Sequence, residues 1–391
     1  MTDLPRLPFE RANLLELSPA FAVLRKEEPV TRVRTSTGDE AWLVTGYEQA
    51  RKIFADERFG RSHPTPETAP RLSNSSLLGG PQGEHATEKA AHDRMRRLLA
   101  PAFSARRMQA LAGRVQQLVD DLLDEMEEHG PPADLHELLS VPLPIQVICE
   151  LLGVPYEDRD RFRAIADDMG DLRDLRRSAA AREEMQVYTH GIVTAKRSDP
   201  GEDVYSDLAA ADLPSHEVAT LAGGLLFAGH ETTMNQIDYG VLLLLSNPGQ
   251  FEALKRDPNL TDAAVEEIMR MGASSEHGLI RYAHEDVEVD GVTIKAGELV
   301  VLATVAANRD ERVYPDPERF DVTRESTDPH LGFGYAIRFC LGASLARVEL
   351  RAVFGALPRR FPALRPTVPL DRLEQRPDQL TGGLMALPVT W

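Results

Sequence analysis

Residues 332–342 read Gly332-Phe-Gly-Tyr-Ala-Ile-Arg-Phe-Cys-Leu-Gly342, a glycine-rich loop that delivers a cysteine to the start of a helix. The apolar spacing from Leu341 to Phe361 predicts that final helix. Free amide N–H groups and the helix dipole at its N-terminus favour a thiolate over a thiol at Cys340. Taken alone, a cysteine is most often a small buried hydrophobe. It is the loop around Cys340 that makes it a candidate ligand. Cys149 is the only other cysteine, so no disulfide framework is available.

Working outward, the 391 residues contain 27 Gly and 27 Pro, scattered as punctuation and never gathered into a linker. We therefore expect one domain over residues 1–391, mainly α with a minor β part. A chain with 42% hydrophobic residues can bury a large core and still enclose a ligand cavity. The 62 acidic against 44 basic residues argue against nucleic acid or an anionic membrane as the main partner. Met1 to Arg25 has no apolar signal-like run, and no window approaches about 20 unbroken apolar residues. A cytoplasmic, monomeric protein is the expectation.

A strand is predicted over Ala41–Thr45 and a helix over Tyr47–Ala55, followed by a long loop over residues 60–90. Met108, Leu111, Val115, Leu118, Leu122 and Met126 form a helical stripe within Ala105–Glu128. Leu143–Leu152 should be a helix ended by Gly153 and Pro155. Residues 159–196 suit surface helices with mobile connections. Ser215–Ser246 reads as one long helix, apolar on every face from Leu221 to Gly229 and therefore buried. Asp262–Met271 is a further helix. Val287-Glu-Val and Val292-Thr-Ile around Asp290-Gly291 form a hairpin signal.

Four more clusters carry chemistry. Ala228-Gly-His-Glu-Thr-Thr233 puts polar groups inside the buried helix, where unpaired polar groups cost a few kcal/mol. The Thr232 hydroxyl can bond the Ala228 carbonyl four residues back and bend the helix. A zinc-protease reading of His230-Glu231 fails because position 234 is Met. Glu267-Ile-Met-Arg270 is an i,i+3 ion pair, followed by Pro317-Glu-Arg-Phe320. His92-Asp-Arg-Met-Arg96 sets His92 and Arg96 on one helical face, and Arg281 lies within Ile280-Arg-Tyr-Ala283.

Together these resemble the cytochromes P450, over nearly the whole chain from Trp42 to Trp391. The family's haem loop is roughly Phe-Gly-x-Gly-x-His/Arg-x-Cys-x-Gly, matched by Phe333, Gly334, Arg338, Cys340 and Gly342. Ala336 departs from it, since Gly is usual there; a methyl is tolerated if φ is negative. The resemblance implies haem b with Cys340 as the axial ligand of the iron, packed by Phe333, Gly334, Ala228 and Gly229. It implies that His92, Arg96, Arg281 and Arg338 hold the propionates, and that Glu267, Arg270 and Arg319 form a buried triad bracing the loop. Thr232 and Glu231 become the catalytic pair, the first toward bound oxygen and the second in proton delivery.

The resemblance also implies a substrate pocket, with Leu77, Leu78, Leu226, Phe227, Leu279, Ile280, Leu384 and Met385 as apolar contacts and Glu276 and His277 as polar neighbours. Electrons would come from a separate ferredoxin or flavodoxin docked near Arg94, Arg97, Arg106 and Arg107. Hydroxylation of a hydrophobic small molecule in bacterial secondary metabolism is the default reaction, with epoxidation, desaturation or oxidative coupling as alternatives on the same machinery. A non-catalytic haem sensor is the rival of another class, and it has no use for a Glu231–Thr232 proton relay.

Overall fold

The computed structural model describes residues 4–272, 278–376 and 378–391. Its scaffold is helical, with a five-stranded sheet to one side. In spatial order the strands are Val30–Arg34, Glu40–Val44, Leu299–Leu302, Leu279–Ala283 and Phe59–Gly60. Only the pairing of Glu40–Val44 with Leu299–Leu302 is parallel, in the register Trp42 to Val300 and Leu43 to Val301. The predicted hairpin forms between Val287–Val289 and Val292–Ile294. Asp290 and Gly291 adopt φ of 53° and 83°, the left-handed pair that a two-residue turn between twisted strands requires.

The long helix spans Ser215–Ser246, as its composition predicts, and runs through the core. Two glycines let neighbours approach it closely. A methyl on Gly229 would lie 2.4 Å from Ile148 Cδ1, and one on Gly240 would lie 2.3 Å from Phe354 Cζ. The helices Pro142–Leu152, Leu175–Lys196 and Thr261–Met271 pack on it, and the terminal helix Ala343–Arg360 packs along Ala105–His129. The helix ends differ from expectation by one to two residues, because capping geometry and not apolar spacing fixes the last turn.

Residues 61–87 hold no helix or strand. The strap they form is nonetheless anchored. The Ser76 amide donates to Ser178 Oγ at 2.9 Å, and the Asn74 amide donates to the Leu172 carbonyl at 3.2 Å. The connection between Arg159–Met169 and Leu175–Lys196 is tied down as well. The Leu172 amide donates to the Asp378 carbonyl (2.9 Å) and the Leu380 amide to the Gly170 carbonyl (2.8 Å). Contacts far apart in sequence thus hold segments whose own composition predicts looseness. His136 and Asp238 form a buried pair at 2.7 Å that no local pattern announces.

Candidate active site

The central helix and the cysteine loop enclose a cavity of about 390 Å³. Ala228, Gly229, Thr232 and Thr233 line it from the helix, and Phe333, Cys340 and Gly342 from the loop. The loop closes on itself through the Cys340 amide donating to the Phe333 carbonyl at 2.8 Å, with Gly334 at φ 71°. Ala336 sits at φ 51°, in the left-handed region, so the negative φ under which a methyl would be tolerated there is not met. That conformation costs an alanine roughly 1–2 kcal/mol, and the closed turn around it maintains the strain.

Cys340 opens onto the cavity but is otherwise surrounded by protein. Burial pushes its thiol pKa up, and the Gly342 and Ala343 amides, Arg96 and Arg347 only partly offset this. The helix terminus alone therefore does not secure a thiolate, as its position in sequence suggests it should. A bound metal, which takes the deprotonated form as its ligand, would supply the rest.

The brace beneath the loop corrects one assignment. Glu267 and Arg270 do pair, both buried, at 2.7 and 2.8 Å. The third member is Arg324, whose Nε donates to both Glu267 oxygens at 3.1 and 3.2 Å. Arg319 is 63% exposed at its side chain, pairs with Asp321 at 3.4 Å, and offers the brace only its backbone carbonyl. Both arginines follow the same aromatic-proline turn, and only the path of the chain after Phe320 decides which one reaches Glu267. From Arg270 the brace continues through the Asn308 carbonyl (3.0 Å), and Asn308 Oδ1 accepts from the Leu331 amide at 2.6 Å.

Thr232 Oγ1 donates to the Ala228 carbonyl at 3.0 Å, the bond anticipated from sequence. Glu231 is buried and turned from Thr232 toward the C-terminal loop. It accepts from Thr381 Oγ1 at 2.6 Å and from Arg376 at 3.3 and 3.4 Å. Burial would raise its pKa, but His230, Arg376 and the Thr381 hydroxyl together hold it below the ordinary carboxylate range. Arg376 also reaches Asp167 at 3.1 Å, which links Glu231 toward the surface. His230 bonds the Leu226 carbonyl at 3.0 Å and packs edge-on against Phe162, a structural placement.

The expected cations converge near Cys340. Arg96 donates to the Phe339 carbonyl at 2.8 Å, one residue before Cys340. Arg281 is enclosed, and burial beside Arg338 and Arg61 pushes its pKa down to about 9. His92 is also pushed down by burial, Arg338 and Arg96. Two members were not read from sequence. Arg61 is enclosed with the others, and its pKa too is lowered by burial and Arg338. Glu88 bonds Arg338, the Ser62 hydroxyl and the Arg61 and Ser62 amides; against the cost of burial these hold it near pKa 2. Neither belongs to a motif, so only the fold could reveal them.

Of the apolar contacts expected from the resemblance, Leu78 and Leu279 line the cavity. The other six are not on its wall. Leu77 packs half-buried on the core, and Leu226, Phe227 and Leu384 lie in the core itself. Ile280 faces a cluster on the other side of the sheet, and Met385 is 53% exposed. A one-residue step along a strand or helix exchanges wall for core, and spacing from a motif does not fix that phase. The wall is completed instead by Phe103, Ile148, Leu225, Thr304, Leu380 and Thr381. Glu276 and His277 lie outside the described residues.

A family model, Cytochrome P450, matches residues 194–384. Pentalenolactone synthase of Streptomyces exfoliatus is 41% identical, with the match covering 100% of both chains. The chain belongs to the cytochrome P450 family. Cytochrome P450 monooxygenase PikC of Streptomyces venezuelae is 42% identical over 95% of this chain and 90% of its own. A solved structure of the putative thioether synthase SgvP, involved in tailoring griseoviridin, superposes with a TM-score of 0.92 at 40% identity, covering 99% and 100% of the two chains. This P450 is an oxidoreductase of the monooxygenase class, and the family implies haem held by a cysteine thiolate. The residues fit that group. Cys340 faces the cavity, and among the described residues the enclosed guanidiniums of Arg61, Arg281 and Arg338 share one protein carboxylate, leaving cationic charge for two propionates. No helix among the described residues is long and apolar enough to cross a membrane.

Proposed function

We propose that this P450 hydroxylates a hydrophobic natural-product scaffold, with haem b ligated by Cys340 and electrons from a separate ferredoxin or flavodoxin. The observation that carries the proposal is the Thr232 hydroxyl bonded back to Ala228 on the wall of the same cavity that Cys340 faces. When bound, haem supplies the activation of O₂ and the oxidising equivalent.

The protein's part is positioning and proton supply. Arg96, Arg281, Arg338 and His92 hold the propionates. Thr232, its one hydroxyl proton given to the Ala228 carbonyl, keeps an acceptor oxygen on the cavity wall, to which a water of a proton path could donate. Glu231, ionised and tethered by Arg376 and Thr381, stands next in chain to that hydroxyl and connects toward Asp167 and solvent. Leu78, Leu225, Leu279 and Phe103 give the substrate an apolar bed, with Thr304 and Thr381 as polar handles. The names of relatives such as pentalenolactone synthase support a natural product as the substrate class.

For the electron donor, Arg97 and Arg106 are the favourable part of the basic segment. Both are exposed, and neither has an ion pair among the described residues. Arg94 is already committed to Glu217 at 2.7 Å and Arg107 to Asp207 at 3.7 Å. The deciding test is the ferrous carbon-monoxide spectrum followed by a spin-shift screen of terpenoid and macrolide scaffolds. A red-shifted thiolate Soret band and at least one spin-shifting scaffold are expected. A histidine-type band would overturn the assignment of Cys340.

A further inference from the structure

Glu88 is a largely enclosed carboxylate that the chemistry above does not use. It begins the helix Glu88–Leu99, yet its side chain turns inward to Arg338, the Ser62 hydroxyl and the amides of Arg61 (2.8 Å) and Ser62 (2.9 Å). The backbone makes room for it, since a methyl on Gly60 would lie 2.5 Å from Glu88 Oε2. Five interacting groups, counting His284 Nε2 at 3.6 Å, surround it on the edge of the cradle assigned to the propionates.

We propose that Glu88 is the protein's own counter-anion in that cradle, offsetting part of its positive charge and holding down the reduction potential of the iron. The proposal rests on the haem reading above. Four guanidiniums, Arg61, Arg96, Arg281 and Arg338, less one carboxylate leave three positive charges, one more than two propionates carry. Without Glu88 the surplus of the occupied cradle would rise from one positive charge to two, in a poorly screened setting. Such a charge favours the iron state that has gained an electron. Arg338 is the residue that makes this necessary. A neutral histidine at that position would add no fixed charge, whereas a guanidinium is always charged.

The test is spectroelectrochemistry of the substrate-free holoenzyme and its variants. In Glu88→Gln, which keeps the shape and a hydrogen-bonding carbonyl, the reduced-to-oxidised ratio at the wild-type midpoint should rise about three- to tenfold, the scale for one partly screened charge. Arg338→Gln should move it the opposite way, and the double variant should return close to wild type. A purely mechanical tie from Glu88 to the strap would weaken the fold without producing this pattern of opposite signs and cancellation. If Glu88→Gln fails to hold haem, Arg338→Gln and the double variant carry the same comparison. Variants with an intact thiolate Soret band and unshifted ratios overturn the role of Glu88 alone. A wild-type protein without a thiolate-haem spectrum overturns the reading beneath it.

Discussion

Removing Arg324 should damage the thiolate loop far more than removing Arg319, although Arg319 is the one that sequence pattern selects. Arg324 is 12% exposed at its side chain and Arg319 is 63% exposed. Arg324 gives Glu267 two bonds and donates to the carbonyls of Pro315 (2.6 Å), Asp316 (3.2 Å) and Arg319 (2.8 Å). Breaking a buried pair costs about 3–5 kcal/mol. Glu267 keeps its two bonds from Arg270 and one from the Asp321 amide, so about 2–3 kcal/mol is the expected loss for Arg324→Ala. Arg319→Ala gives up one solvated pair, worth about 0.5 kcal/mol. The gap of about 2 kcal/mol is roughly 30-fold in an equilibrium or a rate.

A chain carrying a bound cofactor need not unfold in two states, so the useful assay is kinetic. The thiolate Soret band is followed at fixed urea in the two variants and the wild type. Arg324→Ala should lose the band tens of times faster than Arg319→Ala, because the brace reaches the loop through Arg270, Asn308 and Leu331. Equal rates for the two variants, or a faster loss in Arg319→Ala, would refute the reassignment and the path through Asn308 together.

Ala336→Gly should relieve roughly 1–2 kcal/mol of left-handed strain while adding about 0.4–1 kcal/mol of unfolded-chain entropy, for slightly slower haem loss in a transfer assay. Thr232→Ala should leave the thiolate spectrum unchanged and divert electrons to peroxide, read as product formed per reductant consumed; Thr232→Ser should recover much of the coupling. Glu266 is held near pKa 2: burial opposes this, and bonds from Arg347 at 2.6 Å and His330 at 3.1 Å prevail. Its folded pKa lies below the ordinary 4.5, so its contribution is complete above that pH and fades as pH falls toward 2. With the side chain 42% exposed the effect is about 1 kcal/mol, and Glu266→Gln should flatten the acid limb of a stability profile by that amount. Charge reversal at Arg97 and Arg106 should raise the apparent KM for ferredoxin without moving the substrate-induced spin shift, and unaltered donor kinetics would place docking elsewhere.

The sequence by itself determined the helical class, the long buried helix, the hairpin, the cysteine loop and the Thr232–Ala228 bond. Each is local: a period, a turn pair, or a hydroxyl four residues from its carbonyl. The resemblance to the family also named His92, Arg96, Arg281 and Arg338, which gather near Cys340, from the short motifs that hold them. Tertiary structure alone decided the rest. Arg324 replaced Arg319 because a side chain's partner depends on the route of the chain after it leaves a turn. Six of eight supposed pocket residues fell off the wall because facing is a matter of phase, which neighbouring elements set. Glu88, Arg61 and Arg376 entered the site from a helix start, a strap and a C-terminal loop whose composition announces nothing. A charge acquires meaning only from the charges the fold places around it, and those lie up to 250 positions apart in sequence.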